Sequence, residues 1–107
     1  MSDSSAAIAH LENLLRILRH LESEGIALYE HQYHPQAFGS FVLVLGRPHQ
    51  RAKFTWDGRE FILSMSIADF PNKSANVPWT HDADFSLPNG QGLYEEIASQ
   101  TTSTLAI

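Results

Sequence analysis

His81-Asp82-Ala83-Asp84 sets an imidazole within three residues of two carboxylates. These are the donor types that hold a divalent cation or share general acid–base work. Glu30-His31-Gln32-Tyr33-His34 offers two more imidazoles. Neither run has the spacing that such chemistry requires. The first lacks the further oxygen ligands and the glutamate at position twelve of a calcium loop. In the second, an odd separation puts His31 and His34 on opposite faces of a strand, and the His-Glu-x-x-His order of zinc hydrolases is absent. A polar loop and solvated edge histidines are the reading adopted, and no catalytic residue, metal ligand or cofactor is expected. A small hydrolytic or metal-assisted enzyme using His31, His34, His81, Asp82 and Asp84 stays open as an alternative.

Gly90-Gln91-Gly92 precedes a helical stretch, where an anion can sit on free N–H groups. Glu95 stands where a dinucleotide fingerprint needs its third glycine, so ordinary turn chemistry is preferred. The chain has no cysteine, which removes thiolate ligands, Cys nucleophiles and disulfides.

Four of the seven basic residues, Arg47, Arg51, Lys53 and Arg59, fall in one short stretch, with His49 and Trp56 beside them. Charge interleaved with an aromatic residue suits phosphate or single-stranded nucleic acid. The whole chain carries a formal charge of −5, which opposes a polyanion. A solvated strand face is therefore expected, and weak nucleic-acid binding on the 47–59 hairpins is the second alternative.

At 107 residues, 43% hydrophobic and 18% charged, the chain is apolar enough to fold and suits one domain spanning 1–107. The longest strongly apolar run is Phe41–Leu45, far short of the roughly 20 residues that cross a bilayer. Residues 1–9 carry no Lys or Arg and no apolar core of leader length. A cytoplasmic protein without membrane contact is expected.

The elements follow from periodicity. Ile8, Leu11, Leu15 and Leu18, adjoined by Leu14, Ile17 and Leu21, recur in steps of three and four. They predict an amphipathic helix over 5–24, capped by Ser4 or Ser5 and ended by Gly25. Its apolar stripe is wide, which calls for contact with a sheet or with more than one element. Strands are expected over 26–33, 40–45, 51–56 and 59–67. Asp57-Gly58 predicts a two-residue type I′ hairpin with Trp56 opposite Arg59 and Phe54 opposite Phe61. Residues 68–92 read as a long irregular segment, punctuated by Pro71, Pro78 and Pro88 and carrying Phe70, Val77, Trp79, Phe85 and Leu87. Leu93–Gln100 reads as a short helix, and 1–4 and 101–107 as frayed ends. The sum is an α+β two-layer sandwich: an N-terminal helix on a roughly four-stranded antiparallel meander, a long loop and a short C-terminal helix.

The central strand is apolar on both faces, more than one helix covers. Either the 68–92 segment shields the second face or another molecule docks there. The functional expectation is a small acidic, non-catalytic interaction module binding a protein partner or a second copy of itself. Phe41, Leu43, Leu45, Ile62, Trp79 and Phe85 are the candidate partner-binding residues.

Overall fold

The computed structural model describes residues 3–70 and 78–105. Helix α1 (Asp3–Ser23) is followed by five strands, β1 (Ala27–His34), β2 (Ser40–Arg47), β3 (Gln50–Asp57), β4 (Ile62–Asp69) and β5 (Thr80–Ser86), and by helix α2 (Leu93–Thr104). The strands form one antiparallel sheet in sequence order. Both helices lie on one face. Leu14, Ile17 and Leu21 of α1 and Leu93 and Ile97 of α2 share a core with Phe41, Leu43, Leu45, Ala52, Phe54, Leu63 and Met65. The α+β two-layer reading therefore holds.

Helix α1 ends where Gly25 was expected to stop it. Gly25 takes φ +80°. Its N–H donates to the Glu22 carbonyl and the Ile26 N–H to the Leu21 carbonyl, both at 3.0 Å. That is the six-to-one and five-to-two pattern of a Schellman end, and buried Leu21 and Ile26 supply its apolar contact.

The two helices run in the same general direction. Arg16 meets Glu95 at 2.7 Å, and Thr102 near the end of α2 meets Glu24 just past the end of α1 at 3.3 Å. Two negative dipole ends therefore converge. Arg47, at the end of β2, reaches both: Nη1 donates to the Glu24 carbonyl at 2.9 Å and Nε to the Leu105 carbonyl. A cation at a helix C-terminus is favourable, and here one cation serves two.

Four elements differ from expectation. The β3–β4 hairpin is not a two-residue turn. Asp57 pairs with Ile62, Trp56 with Leu63 and Phe54 with Met65, leaving a four-residue loop. The Asp57 carboxylate explains it by accepting from the N–H groups of Arg59 and Glu60, at 3.0 and 3.1 Å. Phe61, not Gly58, takes the left-handed conformation, at φ +57°. The four-residue slip is even, so Ala52, Phe54, Leu63 and Met65 still face the core. Gly58 is required for closeness: a Cβ there would lie 2.0 Å from the Phe38 carbonyl oxygen.

Second, among the described residues the sheet has five strands rather than roughly four, because Thr80–Ser86 pairs with β4. Third, α2 runs past Gln100 through Thr104, because Leu93, Ile97, Thr101 and Leu105 form one buried row four residues apart. The frayed end expected from 101 is thus ordered through Leu105. Fourth, α1 begins at Asp3, ahead of the expected caps. Residues 71–77, with Pro71 and Val77, and residues 106–107 lie outside the described residues. No described helix is long and apolar enough to cross a membrane.

Gly58→Asn separates the two hairpin geometries. Asparagine suits a type I′ turn, whereas here its Cβ meets backbone. Denaturant unfolding is expected to show a loss of about 2–3 kcal/mol; a neutral result would restore the two-residue turn.

Candidate functional site

The wide apolar stripe of α1 resolves into two. Leu14, Ile17 and Leu21 turn inward and are buried. Ile8, Leu11 and Leu15 turn outward and are 56, 52 and 50% exposed. Helix α1 packs over the edge strand β1, so its outer flank has no strand beneath it. Leu28 of β1, 46% exposed, stands against this flank. Two adjoining hollows of about 290 and 440 Å³ share Leu15, Leu18 and Leu28 as walls. His31 closes one of them and Arg19 borders the other.

Behind His31 lies a polar relay inside the core. His10 sits on the inward side of α1, four residues before Leu14, and is only 5% exposed. Its ring stacks on Tyr33 at 4.6 Å and 14° and tilts on Phe41 at 4.6 Å. Nδ1 lies 2.7 Å from the Tyr94 hydroxyl, and Nε2 lies 2.9 Å from Nε2 of His31. Two assignments satisfy the relay: Tyr94 O–H donates to His10 Nδ1 and His10 Nε2–H to His31, or His31 Nε2–H donates to His10 Nε2 and His10 Nδ1–H to the Tyr94 oxygen. Burial first, and His31 second, push the His10 pKa from 6.5 down to about 4. Burial also lowers that of His31. Burial, then Tyr33 and Glu95, raise the Tyr94 hydroxyl to about 12. The cluster is thus neutral near pH 7 and links α1, β1 and α2.

The opposite sheet face is dressed by the chain itself. Arg51 lies between the rings of Tyr29 and Phe70, at 3.6 and 4.4 Å, and Lys53 lies 5.5 Å from Trp79. An extra residue in β1 at Tyr29 breaks the pairing register there. Val44 and Ala68 are buried on this face.

The six expected partner-binding residues therefore do not form one surface. Phe41, Leu43 and Leu45 are buried beneath the helices, and Phe85 packs against the same core. Ile62 and Trp79 belong to the other face, where Ile62 is exposed. The basic set also divides. Arg47 ties the helix ends, Arg51 and Lys53 lie on the far face, and Arg59 stands at the β3–β4 turn, 6.0 Å from the Phe38 ring.

Among the histidines, His31 faces the helices while His34 is exposed at the end of β1. His81 Nε2 meets Asp84 Oδ1 at 2.9 Å, both exposed. The His81 hydrogen bond, then that of Ser64, holds Asp84 below its usual range. Asp82 is the extra residue of a break in β5 and stays apart from the pair. No three His, Asp or Glu side chains converge among the described residues. Gly92 leads into α2 at φ +75°.

Sequence reasoning missed His10 and Tyr94. The signal was present, since His10 lies in phase with Leu14, Ile17 and Leu21 at helical spacing.

His10 gives a pH prediction. Its folded pKa lies below its unfolded value, so the unfolded chain takes up the proton first as pH falls. Stability is complete above pH 6.5 and drains between 6.5 and about 4. Denaturant unfolding at pH 7 and pH 5 is expected to differ by about 2 kcal/mol. His10→Gln keeps a donor and an acceptor without titrating and should lose most of that difference. Equal pH dependence in both proteins would contradict the assignment.

No family model, no curated protein and no solved structure matches the chain.

Proposed function

We propose that this protein is a small, non-catalytic interaction module of the cytoplasm that docks a protein partner along the outer flank of α1, above β1. The observation that carries the reading is the contiguous set Ile8, Leu11, Leu15 and Leu28, each about half exposed. Together they offer roughly 400 Å² of apolar surface, in the size class of the largest patches on monomers, which are often functional. The surplus apolar surface expected on the sheet is thereby assigned to the helix. On the sheet, Tyr29, Phe70 and Trp79 take up the space a partner would need at the Arg51–Lys53 end. The break at Tyr29 interrupts the outer edge of β1, which favours docking on side chains over addition of a strand.

A photo-crosslinking amino acid at position 15, compared in host cells with one at position 59, tests this. Position 15 is expected to yield a discrete protein adduct, identified by mass spectrometry, that is lost when Leu11→Glu is added. Position 59, at the distant β3–β4 turn, should give none. No adduct at position 15 would end the docking proposal.

A further inference from the structure

We infer that the occupant of this flank is a second copy of the chain, seated with its α1 antiparallel to the first about a two-fold axis. The inference rests on the docking proposal above and adds its partner and geometry.

Ile8, Leu11, Leu15 and Leu18 follow the three–four spacing of a heptad seam, with Ile8 and Leu15 at a and Leu11 and Leu18 at d. Two heptads are present, and polar Ser4 and Glu22 occupy the next seam positions at either end. On one flank, at g, stand Leu14 and Leu21, which are buried in the chain's own core. On the other flank, at e, stand Glu12 and Arg19, both exposed. Among the described residues neither is in an ion pair.

This arrangement selects the orientation. Parallel helices pair e with g, and g is occupied here. Antiparallel helices pair e with e, so only that orientation gives Glu12 and Arg19 a use. Set Leu11 against Leu15 of the second copy, and Ile8 falls against its Leu18. Glu12 then falls near Arg19 of the second copy. Helical side chains lean toward their own N-terminus. That lean brings Glu12 and the second copy's Arg19 together and separates the two Glu12 side chains at the axis. Each pair occurs twice, as a two-fold axis demands. Seam and flank are thus self-complementary in shape and in charge.

The area agrees. About 400 Å² of apolar surface per copy is about half of the ~800 Å² per partner in an ordinary stable interface, a little under the about 56–58% apolar share of non-obligate ones, as suits a reversible dimer. The charged rim of Glu12, Arg19 and Glu22 supplies the remainder.

The test is sedimentation or light scattering on the full chain over a wide concentration range. A reversible dimer is expected. Leu15→Glu should weaken it about a hundredfold or more, with unchanged circular dichroism, and with unchanged melting at concentrations where both proteins are monomeric, since residue 15 is outside the core. Glu12→Arg alone and Arg19→Glu alone should each weaken it about fivefold, from loss of opposite-charge pairing. The two together restore opposite pairs and should return the dimer to near its original affinity. A monomer at several hundred micromolar, a dimer indifferent to Leu15→Glu, or a double variant no better than the singles would each overturn the inference. A monomer whose position-15 crosslinker still captures a different, defined protein would remove the second copy and leave the docking proposal standing.

Discussion

Arg47 sits where the two helices would otherwise present uncompensated carbonyl ends to each other. Its guanidinium bonds the last carbonyls of both, and Gly25 passes close enough that an added Cβ would lie 3.1 Å from Nη1. The shared core sets α1 and α2 side by side on the sheet, and Arg47 compensates the two carbonyl ends that this arrangement brings together. With α2 placed over β3, α1 is left above the sheet edge at β1. A helix in that position can bury one side only. The functional reading of the molecule therefore follows from the place of α1 at the sheet edge, where α2 takes the inner position and leaves the outer flank of α1 uncovered.

Much of this architecture was legible in the residues. The helical period of α1, its glycine stop, the continuous apolar β2 and the in–out alternation of β3 follow from local rules, and those rules agreed with the tertiary structure. The β3–β4 hairpin was legible in its faces but not in its register. Asp57 bonds forward to two N–H groups and lengthens the loop, while Gly58 answers to a distant carbonyl that no local pattern reveals. Ala83, Phe85 and Leu87 alternate with Asp82, Asp84 and Ser86, yet strand β5 was hidden because aspartate is a poor strand former and Pro78 and Pro88 bracket the run. The width of the α1 stripe was visible. Which half would be covered was not, because that depends on where α2 leaves the helix on the sheet.

His10 is a polar residue in a position that helical phase reserves for an apolar one. Its ring occupies the space between Tyr33 and Phe41 as an aromatic side chain would, while its two nitrogens tie Tyr94 to His31. An apolar residue would fill the volume without fixing how α2 and β1 approach α1. The outer nitrogen partner, His31, also forms a wall of the exposed hollow beside Leu11 and Leu28. The interior of the fold and its uncovered flank therefore share one hydrogen-bonded contact.

Both margins of the sheet are interrupted by a surplus residue, Tyr29 on one side and Asp82 on the other. Each interruption breaks the straight row of backbone donors and acceptors that an incoming strand needs as a template, and the β5 margin adds the Asp84 carboxylate as charge. Lengthening of the sheet by strands from neighbouring molecules is disfavoured at either end. An oily flank that would be an aggregation hazard beside an intact margin can thus be carried with little risk of fibril growth.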